Sequence, residues 1–381
     1  MLTKILFVAL TENQVVRGVE RYSIELLRHL STQNDLEVTV LCGAWQKYFR
    51  TIESKNIRCN VLNLPNNKIA RHAYLIFNMP RISRMFDVVH YANTLPVLFR
   101  NRAYTMATIH DLAEYYFPEK YSYLQTVYRK KMLKLSIRNI DHFLTVSNFS
   151  KQSISDVLQV SKDRVTCIYP GINHLPMEQP VNPISNKDQY LAKDSYFLYF
   201  GAIEKSKGIE ELVTAFSKFR LKAPDFKLYL IGKPANAINF LTSKTDDHIQ
   251  YLGYTSDEIV AQYARNAKAV INLSKFEGFG FPVLEAFTHN DNIISSNTTS
   301  LGEISRSFAW QVSPVDLDAI EQTMRELVAH PKKFEAEEKA KILSQFDWNK
   351  TAHEYQKLVK NLIAMSRGEL NQARNSTLNL P

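Results

Sequence analysis

The sequence predicts an α/β protein built from two domains, each with a parallel sheet. The chain has 381 residues, about the length of two average domains, and its 45% hydrophobic and 22% charged residues are ordinary globular composition. Short apolar runs alternate with stretches of helical spacing through both halves. A polar stretch with three prolines, residues 173–194, separates the halves and marks a domain boundary.

The first half, residues 1–172, is predicted to form one Rossmann-like domain. A strand at residues 4–10, a helix at 19–30 and a strand at 36–42 make a βαβ unit. Ser147 or Asn148 is a candidate N-cap for a later helix. The remaining predicted elements are a helix at 121–139 and strands at 87–92, 104–109, 142–146 and 165–169.

The second half, residues 195–345, repeats the alternation and is predicted to form a second Rossmann-like domain. A helix follows the first strand at 209–219, and another runs from Ser256 to 267. A last helix is expected at about 346–365, before a polar tail at 366–381. The predicted strands are 196–200, 227–231, 249–253, 269–273 and 292–296.

The stretch 274–287 joins a buried strand to a helix whose first position is predicted to be Pro282. Gly278 and Gly280 let a ligand approach the backbone, and the unpaired N–H groups of the first helical turn favour an anion. Glu277 and Glu285 flank this loop, and carboxylates accept hydrogen bonds from hydroxyls such as those of sugars. The pattern indicates either a nucleotide-sugar pocket or an ordinary turn with two solvated glutamates.

The segment Glu277-Gly-Phe-Gly-Phe-Pro-Val-Leu-Glu-Ala286 resembles the signature of the retaining GT-B glycosyltransferases of family 4. The resemblance covers roughly residues 5–364. It implies two Rossmann-like domains with parallel sheets facing a central cleft, the donor held by the second and the acceptor by the first, and a C-terminal helix that packs back on the first. It also implies that Glu277 lies beside the donor sugar's hydroxyls and that Glu285 holds the nucleotide ribose.

Two loops that resemble the family's phosphate-binding loops depart from its pattern. After the first strand the family has a Gly-Gly pair, and here Arg17 stands before Gly18. After the first strand of the second half, Lys207 matches a lysine that contacts the donor pyrophosphate, but Ala202 stands where the family has an arginine. Either Lys205 or Arg17 compensates, since a point charge is useful beside a phosphate, or donor binding is weaker than usual.

The predicted site residues fall into three groups. His110, in a Thr-Ile-His-Asp context after a strand, resembles the family's histidine that contacts the donor sugar, and the catalytic group is His110, Glu277 and Lys207. The donor-binding group is Gly18, Arg17, Lys205, Gly278, Phe279, Gly280, Phe281, Pro282, Val283 and Glu285. The membrane or acceptor group is Arg129, Lys130, Lys131, Lys134 and Arg138.

The membrane or acceptor group is predicted from the excess of positive charge in the first half of the chain. Residues 1–180 hold 23 Lys and Arg against 14 Asp and Glu, so the whole net charge of +9 lies in this half. The basic residues of helix 121–139 predict either a solvated face or contact with an anionic membrane, and Arg71, Arg81 and Arg84 extend the basic surface. No nucleic-acid recognition motif accompanies them, so we expect no nucleic acid. The family resemblance implies a lipid-linked acceptor.

The expected function is retaining transfer of a hexose, with mannose from GDP-mannose preferred, from a nucleoside diphosphate sugar to a hydroxyl of a glycan or lipid-linked acceptor. Bacterial surface polysaccharide or lipopolysaccharide assembly is the expected setting. We expect no cofactor and no metal, because Lys207 and a helix N-terminus can stabilise the departing diphosphate. The three cysteines form neither a disulfide framework nor a metal site, and no apolar run approaches a membrane span. The protein is expected to be cytoplasmic and peripheral on the inner face of the plasma membrane.

Two other classes of protein compete with this one. A Rossmann dehydrogenase requires Gly-x-Gly-x-x-Gly after the first strand, and the segment between Leu10 and Arg21 lacks it. A basic nucleic-acid-binding or membrane-binding Rossmann-like protein without transferase activity would have no need of Glu285.

Overall fold

The computed structural model describes residues 2–93, 96–172, 194–234 and 246–377. The chain divides into two compact units, one of Met1–Tyr115, Tyr121–His174 and Phe346–Pro381, the other of Tyr116–Lys120 and Leu175–Gln345. Except for its last residue, the predicted linker at 173–194 lies outside the described residues. Each unit has one parallel sheet, as the sequence predicts.

The sheet of the first unit has seven parallel strands in the order β3-β2-β1-β4-β5-β6-β7. At its centre, Ile5 pairs with Val38 on one side and with Val88 on the other. A central parallel strand is covered on both faces, which explains why its sequence is continuously apolar. The strands are β1 (Thr3–Val8), β2 (Leu36–Gly43), β3 (Ile57–Leu62), β4 (Val88–Tyr91), β5 (Tyr104–Thr108), β6 (His142–Thr145) and β7 (Val165–Cys167).

The helices that connect these strands include one that the sequence analysis missed. The helix at Lys68–Ile82 and the strand before it were not predicted, because β3 exposes Arg58 and Asn60 at the sheet edge and the helix contains Pro80. Ser147 caps the fifth helix by accepting a hydrogen bond from the Ser150 amide, as predicted. The helices are α1 (Gly18–Leu30), α2 (Lys68–Ile82), α3 (Ala113–Tyr116), α4 (Tyr123–Ser136) and α5 (Asn148–Leu158).

The sheet of the second unit has six parallel strands in the order β10-β9-β8-β11-β12-β13. The strands are β8 (Tyr196–Phe200), β9 (Lys227–Ile231), β10 (Ile249–Gly253), β11 (Ala269–Asn272), β12 (Ile293–Ser296) and β13 (Trp310–Val312). The helices are α6 (Ile209–Arg220), α7 (Asp257–Asn266), α8 (Phe281–His289), α9 (Thr299–Ile304), α10 (Leu317–Ala329) and α11 (Ala336–Leu343). The strand order reverses between β8 and β11, and ligands of such sheets bind at this reversal.

The C-terminal helix α12 (Trp348–Thr377) belongs to the first unit. Trp348 and Tyr355 are buried, and the Thr351 hydroxyl donates to the Tyr169 carbonyl at 2.7 Å. The helix is longer than predicted, since it continues past Met365 to Thr377. Polar composition alone does not end a helix, because most of the residues after Met365 are adequate helix formers.

Two buried histidines lie within the first sheet. His90 is fully buried, with Nδ1 2.9 Å from the Tyr355 hydroxyl and Nε2 2.7 Å from the Thr108 hydroxyl. His142 is buried, with Nε2 2.8 Å from the Thr166 hydroxyl. Burial, together with the nearby charge of His110, lowers the pKa of His90 to about 3. Burial and the nearby Arg164 lower the pKa of His142 to about 4.

We therefore expect the protein to lose stability as the pH falls below about 6.5, where histidine titrates in the unfolded chain. The unfolded chain then takes up protons that the folded protein does not, so the stabilisation is fully present above this pH and is lost as the pH falls toward the lowered pKa values of His90 and His142. At a pH of about 5 each histidine accounts for a loss of about 2 kcal/mol. Urea unfolding at a series of pH values measures the loss.

The variant His142→Gln serves as the control, because glutamine keeps a group that can hydrogen-bond Thr166 but takes up no proton. Its unfolding free energy should depend less steeply on pH between about 6.5 and 5, by about 1.4 kcal/mol per pH unit. A pH dependence equal to that of the wild type would contradict the assignment to His142.

Candidate active site

Two loops meet at the carboxyl ends of the neighbouring strands β8 and β11, at the reversal of strand order. The Lys275 amide of one loop donates to the Ser206 carbonyl of the other at 2.8 Å. Gly208 packs so closely on the second loop that a Cβ there would lie 2.3 Å from the Leu273 carbonyl oxygen. The two loops are therefore fixed to each other by the backbone.

Each loop turns into its helix through a glycine in the left-handed region. Gly208, before α6, has φ of 67°, and Gly280, before α8, has φ of 104°. A Cβ on Gly280 would lie 2.3 Å from Cδ2 of Leu301. Both positions thus require glycine for conformation and for space.

A lysine and a glutamate 70 residues apart form an ion pair across these loops. Nζ of Lys207 donates to Oε1 of Glu277 at 2.6 Å, and the Ser274 hydroxyl donates to the same oxygen at 2.9 Å. Each charged side chain is 16% exposed, so the pair is largely shielded but still accessible from solvent. The structure thus brings together two of the three predicted catalytic residues.

Tyr199 lies buried close to this pair. Burial, reinforced by the negative charges of Glu277 and Glu204, raises the pKa of Tyr199 well above its usual value. The hydroxyl therefore stays protonated and donates to the Ala202 carbonyl at 2.7 Å. This bond fixes the turn that leads to Lys207.

The donor-binding residues of the second unit surround the start of α8. The helix begins at Phe281, so Pro282 takes its second position, whereas the sequence analysis placed it first. Glu285 lies about one turn along the helix and is half-buried. Phe279 is buried and packs edge-on against Phe281 at 5.1 Å, so its side chain belongs to the core of the unit. Gly278, Gly280 and Val283 are buried as well.

Three consecutive residues that the sequence analysis did not single out hold the Glu277 loop from its other side. The Thr299 hydroxyl accepts from the Glu277 amide at 3.4 Å, and the Ser300 hydroxyl donates to the Glu277 carbonyl at 2.9 Å. Leu301 packs on Gly280. Thr299 has φ of 55°, a strained value for a β-branched residue and one that is typical of functional sites.

The other predicted donor residues differ in their surroundings. Lys205 and Ala202 are both exposed, in the loop after β8. In the first unit, Arg17 and Gly18 are exposed at the start of α1, where the Arg17 amide donates to Glu20 at 3.2 Å. A Cβ on Gly18 would meet no atom within 4 Å, so glycine is not required there by space. Whether Lys205 or Arg17 compensates for Ala202 stays a prediction.

His110 lies in the first unit, just after β5, and is half-buried. Its Nε2 lies 3.1 Å from the Ala92 carbonyl, and a carbonyl only accepts, so Nε2 carries the proton. Burial lowers the pKa of His110, and its ring packs edge-on against Tyr22 at 4.9 Å. The neutral ring therefore presents Nδ1 as an acceptor. Its contact with a donor sugar stays a prediction.

Some members of the predicted basic group on α4 contact other side chains of the protein. Arg129 pairs with Glu114 at 3.5 Å, and Lys130 lies 4.7 Å from the centre of the Tyr115 ring. Arg71 is buried and donates to Asn66 at 2.7 Å, so its predicted part in the basic surface is wrong. The exposed members of the surface are Lys131, Lys134, Arg138, Arg81 and Arg84.

Family comparison assigns both halves of the chain. The Glycosyltransferase Family 4 model matches residues 16–174, and the Glycosyl transferases group 1 model matches residues 183–343. The chain belongs to glycosyltransferase family 4. This glycosyltransferase is 26% identical over 346 residues to O-antigen chain mannosyltransferase B of Escherichia coli, covering 83% of this chain and 88% of the relative. It is 25% identical over 328 residues to O-antigen chain mannosyltransferase RfbU of Salmonella typhimurium, covering 78% and 84%.

Solved structures agree on the fold of this glycosyltransferase. Anabaena Alr3699/HepE in complex with UDP matches with a TM-score of 0.73 at 15% identity, covering 94% of this chain and 100% of the other. The lipopolysaccharide outer core galactosyltransferase WaaB in its apo form matches with a TM-score of 0.66 at 16% identity, covering 96% and 100%. The GT-B fold expected from the sequence is confirmed. Within the described residues of this glycosyltransferase, no helix has the length and apolar character that crossing a membrane requires.

Proposed function

We propose that this glycosyltransferase transfers mannose from GDP-mannose to a hydroxyl of a glycan or lipid-linked acceptor, with retention of the anomeric configuration. The proposed setting is O-antigen assembly. Two relatives named O-antigen chain mannosyltransferases support this choice, because they match 83% and 78% of the chain.

The observation that carries the proposal is the Lys207–Glu277 ion pair beside the start of α8. Transfer requires a group that stabilises the negative charge of the diphosphate as the glycosidic bond breaks. An ammonium has three donors, so Lys207 can bind phosphate oxygens without releasing Glu277. The N-terminus of the nine-residue helix α8 adds a favourable dipole.

Glu277 is proposed to accept hydrogen bonds from the donor sugar's hydroxyls and not to act as a nucleophile. Its carboxylate is already held by Lys207 and Ser274, which fixes its orientation. In the proposed reaction the bond from the anomeric carbon to the phosphate oxygen breaks, and the bond to the acceptor oxygen forms on the same face. The acceptor's proton passes to the leaving phosphate. Glu285 is proposed to bind the ribose hydroxyls.

We expect GDP to bind to the wild-type protein and to depend on Glu285, because a ribose that loses its carboxylate partner loses a charge-assisted hydrogen bond. GDP at 100 times its dissociation constant should add about 2.7 kcal/mol of stability, which is a thermal shift of several degrees. A thermal-shift panel of GDP, UDP, ADP, CMP and NAD on the wild type and on Glu285→Ala measures this.

The matched control for the panel is Glu326→Ala, which removes an exposed glutamate from α10 in the same unit. It should keep the full GDP shift. A shift with UDP instead of GDP would change the proposed donor, and a GDP shift that survives in Glu285→Ala would contradict the ribose assignment. A response to NAD alone would favour a dehydrogenase.

The proposal also predicts metal-independent release of GDP from GDP-mannose, with water as a slow acceptor. Lys207→Ala should lower the rate by about a hundredfold or more, because the departing diphosphate loses its cation. Lys222→Ala removes an exposed lysine of the same unit outside the site and should have a much smaller effect. NMR of the sugar when it is first released should show the donor's anomeric configuration.

Three outcomes would count against this part of the proposal. An inverted sugar would exclude retention. A rate abolished by EDTA would show that a metal carries the charge assigned to Lys207. An equal loss in Lys222→Ala and Lys207→Ala would show that the total charge of the unit matters more than the ion pair.

We also propose that the exposed face of α4 lies on an anionic membrane, such as the inner face of the plasma membrane. Lys131, Lys134 and Arg138 are exposed on this helix and its end, close in sequence to the exposed apolar residues Tyr123 and Leu124. Each basic residue near an anionic surface contributes about 1 kcal/mol. Basic and apolar side chains together are typical of helices at the membrane interface.

The variant Lys131→Ala/Lys134→Ala/Arg138→Ala should therefore bind anionic vesicles about a hundredfold more weakly than the wild type. Vesicle co-sedimentation measures the difference. The control variant Lys222→Ala/Arg306→Ala/Lys333→Ala removes the same charge from exposed positions of the second unit and should bind normally. Equal binding of the wild type to neutral and anionic vesicles would exclude the proposed contact.

A further inference from the structure

The first unit contains a cavity of about 50 Å³ lined by residues of α2 and α4. From α2 it is lined by Lys68 and His72, one helical turn apart, and from α4 by Tyr128 and Arg129. Met132 and Leu133, one turn further along α4, contribute apolar lining. Cationic and apolar groups therefore line one small space.

The polar side chains of the cavity are held in place by one another. The Tyr128 hydroxyl lies 2.8 Å from Nδ1 of His72, and the two rings are nearly parallel, 7° apart in plane, with centres 6.1 Å apart. Nζ of Lys68 lies 3.7 Å from the centre of the Tyr128 ring, which is a cation–π contact. This arrangement holds the Lys68 ammonium at the cavity. Among the described residues, no carboxylate lies at ion-pair distance from it.

The charges around the cavity are not balanced. Partial desolvation and the positive charges of Arg129 and Arg71, only partly offset by Glu12, lower the pKa of Lys68. Arg129 has one carboxylate nearby, Glu114 at 3.5 Å, and its Nε is buried with no hydrogen-bond partner in the described part of the chain. A buried donor without an acceptor costs about 1–3 kcal/mol, and an oxyanion in the cavity would supply the acceptor.

Exposed apolar side chains flank the lining residues on both helices. Ile69 is 83% exposed on α2, where it is next in sequence to Lys68. Leu124 is 78% exposed on α4, one turn before Tyr128. One exposed apolar residue is ordinary, but one on each helix beside a cationic cavity matches a ligand with a charged head and an apolar chain.

We propose that this cavity binds the phosphate head group of a lipid, with Lys68 and Arg129 on the phosphate and the hydrocarbon along the exposed apolar residues of α2 and α4. Charge complementarity and the apolar flanks select a phosphorylated lipid over free phosphate. The inference that this lipid is the carrier of the acceptor rests on the proposed function. The inference that the cavity binds a lipid phosphate does not rest on it.

The test measures binding of monomeric dodecyl phosphate by calorimetry to the wild type, Lys68→Gln, Lys162→Gln and Lys207→Gln. Lys68→Gln changes an exposed residue, so the fold should be kept, and its unfolding temperature checks this. We expect it to weaken binding about tenfold, because it removes a charge-assisted contact. Lys162→Gln removes the same charge from another exposed position of the first unit, and Lys207→Gln removes it from the donor pocket. Both should bind nearly as the wild type does.

Inorganic phosphate and uncharged dodecyl maltoside are the ligand controls, and both should bind far more weakly than dodecyl phosphate. Equal losses in Lys68→Gln and Lys162→Gln would show that only the general charge of the unit matters. A loss only in Lys207→Gln would place the ligand in the donor pocket. Inorganic phosphate binding as tightly as dodecyl phosphate would overturn the lipid assignment. A protein that binds dodecyl phosphate in a Lys68-dependent way but does not turn over GDP-mannose would contradict only the proposed transfer.

Discussion

The arrangement of the second unit depends on one contact, the ion pair between Lys207 and Glu277 at the reversal of strand order. A parallel sheet places the carboxyl ends of neighbouring strands at one edge, so the loops after β8 and β11 meet although they are 70 residues apart. The close approach of Gly208 to Leu273 leaves the loops little freedom to separate. The pair is thus organised by backbone geometry before any ligand is present, which is what electrostatic stabilisation of a leaving group requires.

The two units distribute charge in different ways. In the second unit the lysine at the proposed reaction centre has a carboxylate partner, so the site is close to neutral until a donor arrives. In the first unit the excess of basic residues remains, partly exposed on α4 and partly held at the cavity lined by α2 and α4. A chain with an ordinary overall composition therefore presents a balanced site in one unit and a positive surface in the other.

The sequence predicted the continuously apolar strands and missed the edge strands β3 and β13. Strands such as β1 and β8 are continuously apolar, and their predicted bounds lie within about two residues of the observed ones, whereas the edge strand β3 alternates with polar residues and went unassigned. Glu277 and Lys207 were identified by family resemblance, but their pairing could not be predicted because it depends on the strand order. Counting charges likewise overestimated the basic surface, since Arg71 and Arg129 have partners from distant parts of the sequence.

The left-handed conformation of Thr299 has a consequence for protein engineering. Glycine at this position would relieve a strain of about 1–3 kcal/mol while removing the hydroxyl that meets the Glu277 amide. A screen that rewards thermal tolerance alone would therefore favour a change that loosens the Glu277 loop. The chain retains a costly backbone conformation in the segment whose three consecutive residues hold that loop. Selection for stability and selection for an ordered Glu277 loop therefore act in opposite directions at Thr299.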